Sequence, residues 1–179
     1  MGLIIPKPQS FTVHYDGRAR VLGTFLDVFE AFDPDESSIQ PNGKTYQAIW
    51  DTGASGSVIT KRVVQDLGLK PIGKIQSKGV HGEAKIVNAY LVNLRLPNTV
   101  GIVGLKVGEC EELGGPFDVL IGMDIIGLGD FAVTSDEGKT VLSFRMPATN
   151  KIDFVKEPPL SRQQRRKIAR DKEKKRLKK

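Results

Sequence analysis

The sequence is poor in the residues that build disulfides and metal centres. Its 179 residues include one cysteine, Cys110, and two histidines, His14 and His81. A single cysteine cannot form a disulfide within the chain or a cysteine zinc cluster. Two histidines cannot form a three-histidine metal site. A chain of this length folds around its own hydrophobic core without such cross-links.

Long apolar runs are also missing. The longest are a few residues, whereas a membrane-spanning helix needs about 20 apolar residues. The first six residues, Met1 to Pro6, lack the basic segment and the long apolar segment of a secretory signal. Gly2 stands where myristoylation requires it, but that motif wants Ser or Thr where Pro6 stands. We therefore expect a soluble protein in the reducing cytoplasm.

Positive charge is concentrated at the C-terminus. The whole chain carries a formal charge of +6. The segment from Ser161 to Lys179 carries +9, and the 160 residues before it carry −3. Such asymmetry is typical of an interaction tail. The tail has no aromatic residue for base stacking, so three readings stay open: a solvated or solubilising segment, a nucleic-acid contact, or a contact with an acidic protein or membrane surface.

Two prolines, Pro158 and Pro159, separate this tail from the rest of the chain. We predict a domain over residues 1–157 and a basic tail over residues 158–179. Ser161 precedes Gln164 at the spacing of a capping box, which predicts the start of a helix. Apolar residues are sparse after it, so we expect the tail to be frayed or disordered in isolation.

The sequence of residues 1–157 predicts a series of short strands. Apolar and alternating segments predict strands at 18–32, 45–50, 85–96, 100–107, 117–121, 131–133 and 140–144. Two short helices are predicted, at 61–67 with Thr60 as N-cap and Gly68 as stop, and at 124–128 between glycines. Many short strands with few helices favour a small, closed all-β architecture.

The most informative stretch runs from Ala48 to Ser55. An apolar strand leads into a polar turn that begins with the carboxylate of Asp51, in the order Asp-Thr-Gly-Ala-Ser. Gly53 would let the backbone approach a ligand closely. The tripeptide Asp-Thr-Gly alone is a weak signal, because an ordinary Asx-turn after a strand has the same composition.

Three segments in sequence order resemble the retropepsin-like aspartic proteases, the single-domain relatives of retroviral proteases. They are the turn at 51–55, the segment 78–82 followed by a long strand, and the segment 119–124. The resemblance covers roughly residues 22–146, and the first and third segments carry most of it. The polar insertion at 33–43 and the longer approach at 109–115 depart from the family pattern.

The resemblance implies a single-lobe acid-protease β-barrel and roles for individual residues. Asp51 would be catalytic. In the turn after it, Thr52 would bond across a dimer axis, Gly53 and Ser55 would contact the substrate backbone, and Ala54 stands where pepsin-like enzymes often have a hydroxyl. The substrate-covering flap would consist of Gly79, Val80, His81 and Gly82. Active-site support would come from Leu120, Ile121 and Gly122. The resemblance implies no metal and no cofactor.

Simpler interpretations of these residues stay open. The segment 79–82 also suits an ordinary hairpin turn, and His81 suits a solvated turn residue. Residues 120–122 suit core packing under either interpretation. Asp124 suits a helix N-cap or an orienting partner, and the sequence does not choose between them.

The chain contains one Asp-Thr-Gly and no Asp-Ser-Gly. Acid–base hydrolysis in this family needs two carboxylates, so the resemblance implies a homodimer in which each subunit contributes Asp51. The expected activity is that of an aspartic endopeptidase acting on peptides or proteins. Two alternatives remain: a catalytically inactive scaffold that keeps the fold and binds peptides, and a nucleic-acid-associated protein that acts through its tail.

Overall fold

The computed structural model describes residues 8–33, 42–78, 83–156 and 161–177. The chain divides into two compact units, Met1–Thr149 and Asn150–Lys179. The domain boundary that we predict from the sequence, between residues 157 and 158, lies outside the described residues. No described helix combines the length and the apolar character that a membrane crossing requires.

The first unit consists mainly of strands. In chain order its elements are β1 (Gln9–His14), β2 (Gly23–Glu30), β3 (Lys44–Trp50), β4 (Val58–Thr60), α1 (Lys61–Leu67), β5 (Gly73–Ser77), β6 (Lys85–Arg95), a 3₁₀ turn (Pro97–Thr99), β7 (Gly101–Cys110), β8 (Val119–Ile121), α2 (Met123–Ile126), β9 (Asp130–Asp136) and β10 (Lys139–Met146). The described part of the second unit contains one helix, α3 (Arg162–Arg176).

Six strands of the first unit close into a barrel. Their order is β2-β3-β8-β4-β7-β6, and β6 pairs back onto β2. Strand β6 makes this closure because it is long: its first residues pair with β5 and its last residues pair with β2. Closure leaves no free edge in the ring of six strands. The predicted all-β, single-lobe class is confirmed.

Side-chain alternation along the barrel strands builds the core. In β3 the side chains of Tyr46, Ala48 and Trp50 are buried, and the residues between them are half-buried. In β4 the central residue, Ile59, is fully buried, and in β8 the first and last residues, Val119 and Ile121, are fully buried around a half-buried Leu120. Because successive side chains of a strand point to opposite faces, the core takes every second residue and leaves the others on the outer face.

A second sheet contains three antiparallel strands in the order β1-β10-β9. It packs on the barrel through an aromatic cluster formed by Phe11, Trp50, Phe131 and Phe144. Trp50 lies at the centre of this cluster: its ring stacks on Phe131 at 5.6 Å between centroids and tilts against Phe144 at 5.2 Å. Because Trp50 is the residue before Asp51, the cluster fixes the strand end from which the polar turn starts.

The observed elements match most of the predicted ones. Helix α1 has the predicted bounds and ends at Gly68 in the left-handed conformation. Helix α3 begins with the predicted capping box, in which Ser161 and Gln164 exchange hydrogen bonds. Helix α2 is shorter than predicted and begins one residue earlier. The sequence prediction did not include β1, β4 and β5. Strands β1 and β4 depend on pairing partners distant in sequence, whereas β5 pairs with the next strand, β6.

Thr60 is the N-cap residue of α1, as predicted. Its backbone occupies the N-cap position of α1, but its side chain makes no capping bond. The hydroxyl instead donates to Asp118 Oδ1 at 3.0 Å, and the Thr60 N–H donates to the Asp118 carbonyl at 2.9 Å. Asp118 directly precedes β8, so this tertiary contact ties the end of β4 to the start of β8.

We predict that the aromatic cluster stabilises the first unit. Replacement of the fully buried Phe144 by alanine should lower the free energy of unfolding by about 3–5 kcal/mol, because it removes a large apolar side chain and leaves a cavity. The matched control is Phe25→Ala, since Phe25 is 61% exposed and should have a much smaller effect. Urea unfolding measures both variants, and equal losses would contradict this assignment.

Candidate active site

The polar turn starts from a strand end that is held on two sides. The Trp50 N–H donates to the Leu22 carbonyl at 2.9 Å, and its indole Nε1–H donates to Thr24 Oγ1 at 2.9 Å. On the other side, β3 runs parallel to β8, with Trp50 opposite Ile121. Because these contacts hold Trp50 in place, the backbone position of the next residue, Asp51, is also fixed.

The backbone and the carboxylate of Asp51 are both engaged. The Asp51 N–H donates to the Ile121 carbonyl at 2.9 Å, which continues the pairing of β3 with β8 by one residue. The carboxylate oxygen Oδ1 accepts the Gly53 N–H at 2.8 Å. This second bond is an Asx-turn, so the simpler reading of the tripeptide describes its local geometry correctly. The other carboxylate oxygen, Oδ2, accepts no hydrogen bond from any described residue.

Two glycines allow the turn to pack tightly. A Cβ atom on Gly53 would lie 3.1 Å from Asp51 Oδ1 and would crowd the carboxylate. A Cβ atom on Gly122 would lie 2.7 Å from the carbonyl group of Gly56, a distance that packed atoms do not tolerate. Gly122 therefore lets β8 and α2 approach the turn closely enough for the Met123 N–H to donate to the Ala54 carbonyl at 2.8 Å.

Ser57 and Asp124 join the far end of the turn to α2. The carboxylate of Asp124 accepts the Ser57 N–H at 2.8 Å through Oδ2 and the Ser57 hydroxyl at 2.7 Å through Oδ1. The Ser57 hydroxyl oxygen also accepts the Gly122 N–H at 3.0 Å. We call Ser57, Gly122 and Asp124 the polar latch. Since Ser57 is only 3% exposed, these bonds are shielded from water.

The strand pairings place three half-buried apolar side chains next to the turn. Ile49 lies opposite Leu120 across the β3–β8 pair, and Val58 lies opposite Leu120 across the β4–β8 pair. Their neighbours along each strand point into the core, so these three side chains share the outer face. We call Ile49, Val58 and Leu120 the apolar row.

Comparison with known proteins finds one matching family model. A family model described as aspartyl protease matches residues 37–125, a stretch that includes the Asp51 turn, the apolar row and the polar latch. These residues match the aspartyl protease family, so the family resemblance found in the sequence is confirmed over this stretch. No curated protein matches the chain.

Two solved structures are similar to this chain. One is a retropepsin-like aspartic protease from Rickettsia conorii, with 17% identity and a TM-score of 0.47, where the match covers 78% of this chain and 95% of that chain. The other is the foamy viral protease-reverse transcriptase in complex with an RNA/DNA hybrid, with 16% identity and a TM-score of 0.35. That second match covers 84% of this chain and 17% of the viral chain, so this chain spans less than a fifth of it.

The structure brings two of the three predicted site segments together. The turn at 51–55 contacts residues 120–122 through the Asp51 to Ile121 bond and the close approach of Gly122 to the Ala54 carbonyl. Thr52, Gly53 and Ser55 are exposed, whereas Ala54 is half-buried. The predicted flap residues, Gly79, Val80, His81 and Gly82, lie outside the described residues. The strands beside them form an antiparallel pair, in which Ser77 of β5 lies opposite Lys85 of β6.

The structure also answers the question that the sequence left open for Asp124. The N-cap position of α2 belongs to Gly122, and Asp124 lies inside the first turn of the helix. Its carboxylate orients the turn through Ser57, so it acts as an orienting partner. Sequence reasoning missed Ser57 altogether. Its only signal was a small hydroxyl residue shortly after the Asp-Thr-Gly, and its partner lies 67 positions away.

Cys110 has the character of a half-buried, inert thiol. Burial raises the pKa of the Cys110 thiol to about 11, with smaller contributions from the carboxylates of Glu109 and Glu111. Its Sγ–H points to the Ile59 carbonyl at 3.5 Å. The thiolate is the nucleophilic form of cysteine, so a thiol that stays protonated at neutral pH is a poor nucleophile.

We predict that the polar latch is necessary for the stability of the turn. Ser57→Ala should lower the free energy of unfolding by about 1–3 kcal/mol, because it leaves the buried Gly122 N–H and one Asp124 bond unsatisfied. The matched control is Ser55→Ala, the same change at an exposed position two residues earlier. Thermal unfolding of both variants is the measurement. If both variants lose the same free energy of unfolding, the hydrogen bonds of the polar latch do not stabilise the protein.

Proposed function

We propose that the protein is an aspartic endopeptidase in which Asp51 activates a water molecule for attack on a peptide bond. The observation that carries this proposal is the state of the Asp51 carboxylate. One oxygen is oriented by the Gly53 N–H, and the other accepts no hydrogen bond from any described residue. An oriented carboxylate with a free oxygen at a half-exposed strand end is suited to general acid–base catalysis.

A single carboxylate completes only half of this chemistry. Peptide hydrolysis without a covalent intermediate needs a base that takes a proton from water and an acid that protonates the substrate carbonyl. Two carboxylates about 3 Å apart share one proton, because both cannot ionise at that distance. They fill the two roles together, and the proton gained from water later passes to the leaving amine. The chain has one Asp-Thr-Gly, so the second carboxylate in this proposal is Asp51 of a second copy.

The exposure of the turn supports this arrangement. Thr52 and Gly53 are exposed in the single chain, so they are accessible to a second copy of the turn across a two-fold axis. Ser55 is also exposed and lies on the side of the turn that leads toward β4, where a peptide backbone would pass the carboxylate. The rigid support from the aromatic cluster and the polar latch would hold both turns in the required position.

The apolar row supports a preference for apolar substrate side chains. Ile49 lies two residues before Asp51. Leu120 lies opposite Ile49 on the neighbouring strand, and Val58 lies opposite Leu120 on the strand after that. A peptide bound with its scissile bond at Asp51 would place a neighbouring side chain against this surface. Apolar contact there would exclude water from the carboxylates and strengthen their interactions.

The first activity prediction tests the shared site. Asp51→Asn should keep the fold, because the two side chains have nearly the same shape, and should abolish peptide cleavage. Mixed with wild type, it should also inhibit: a threefold excess should lower the activity per wild-type chain to about one quarter, because random pairing leaves that share of wild-type chains with a wild-type partner. Cleavage rate against a peptide library and sedimentation of the mixtures provide the measurements.

The matched control for this mixing experiment is Asp16→Asn, the same change at a side chain that is 99% exposed. This variant should cleave peptides and should add to the activity of the wild type. Undiminished activity in the Asp51→Asn mixture would contradict the shared site. A wild-type protein that binds peptides without cleaving them would favour the scaffold alternative.

The second activity prediction tests the apolar row. Leu120→Ala should lower kcat/KM roughly tenfold for peptides with a large apolar residue beside the scissile bond, and much less for peptides with alanine there, since it removes contact area for that side chain. Leu91→Ala is the matched control, because Leu91 is 38% exposed and lies on β6. The ratio of kcat/KM for the two peptides should change in the first variant and stay constant in the second. A constant ratio in both would show that Leu120 does not contact the substrate.

A further inference from the structure

Helix α3 is the most strongly charged feature of the molecule, and the proposed protease activity makes no use of it. The segment from Ser161 to Lys179 carries +9. Every described side chain of the helix is exposed, including Ile168, its largest apolar residue, at 43%. The helix therefore has no buried face within its own unit that would explain its composition.

Four cations repeat at every fourth position along one side of this helix. They are Arg162, Arg166, Arg170 and Lys174, which we call the basic ladder. Positions four apart are neighbours on a helix surface and are separated by about 6 Å along the axis. The basic ladder thus extends over about 18 Å of the helix, a length over which a nucleic-acid duplex carries about ten phosphates.

The ladder forms no ion pair within the described part of its own unit. None of its four side chains pairs there with a carboxylate, although Asp171 and Glu173 lie on the same helix. Like charges at this spacing destabilise a helix, and an external anion that lies along the ladder relieves the repulsion. The capping box formed by Ser161 and Gln164 fixes the start of the helix directly before the first ladder residue.

We propose that α3 binds double-stranded nucleic acid through its phosphate backbone, with the basic ladder as the main contact. Phosphate binding of this kind needs only positive charge on a regular support, and it does not need base-reading or aromatic side chains. The tail has that composition: eleven basic residues in nineteen and no aromatic residue.

The same composition disfavours two other acidic partners. Helices that lie in a membrane surface bury a continuous apolar face, and α3 has none, since its only apolar residues are Ile168 and Ala169, and Leu177 follows its end. Stable protein interfaces centre on buried apolar or aromatic anchors, which the tail also lacks. A phosphate backbone is the partner that requires neither feature.

The test measures binding of the full chain to a labelled, mixed-sequence DNA duplex of about 20 base pairs at several salt concentrations. Between about 50 and 200 mM salt the affinity should fall at least about a hundredfold. The ladder variant, with Arg162, Arg166, Arg170 and Lys174 all changed to glutamine, should bind far more weakly. In a plot of the logarithm of the binding constant against the logarithm of the salt concentration, the slope should be less steep by about 3 to 4.

The matched control removes the same charge from the first unit. It carries glutamine in place of Arg18, Arg20, Lys70 and Lys106, which are all exposed. This variant should retain the affinity and the salt dependence of the wild type. Equal weakening in both variants would assign the binding to net charge and overturn the proposal, as would the absence of DNA binding at low salt.

Further measurements separate the partner classes and the two activities. Tighter binding to polyglutamate or to phosphatidylserine vesicles than to the duplex would overturn the proposal in favour of an acidic protein or a membrane surface. A duplex RNA that binds as the DNA does would support it, since both present phosphates. The Asp51→Asn chain should bind the duplex like the wild type, so a failure of the proposed protease activity and a failure of nucleic-acid binding are distinguishable.

Discussion

The hydrogen bond from the Asp51 N–H to the Ile121 carbonyl is the contact on which the rest of the site depends. It extends the parallel pairing of β3 and β8 beyond the last residue of β3, so the polar turn begins in a fixed register. That register brings Leu120 beside Ile49 and Gly122 against Gly56. A shift of one residue would reverse the inward and outward faces of β8 and separate Asp124 from Ser57.

This contact joins residues 70 positions apart in sequence, so it forms only when the barrel closes. The aromatic cluster supports it from behind, since Trp50 packs on Phe131 and Phe144 of the second sheet. The polar latch supports it from the other end of the turn, through bonds that are shielded from water. In the first unit, an apolar set of contacts and a polar set of contacts together fix the position of the Asp51 carboxylate.

The sequence predicted the elements whose signals are local. The bounds of α1 follow from Lys61 to Leu67 between Thr60 and Gly68, and the start of α3 follows from the spacing of Ser161 and Gln164. The strand β4 was missed because three residues, Val58 to Thr60, are too few to show alternation. Its existence depends on pairing with β7 and β8. Thr60 occupies the N-cap position that the sequence predicted, but its hydroxyl binds Asp118, a tertiary partner that local sequence does not indicate.

The sequence by itself determined the all-β class, the position of the Asp-Thr-Gly turn after an apolar strand, and the separation of a basic tail from a mildly acidic body. Composition, alternation and short-range spacing encode these properties, and all of them act between near neighbours. Only the tertiary structure decided that Ser57 and Asp124 bind each other, that Ile49, Val58 and Leu120 form one surface, and that β6 closes the barrel. These contacts depend on strand register, which is fixed by the packing of the whole core.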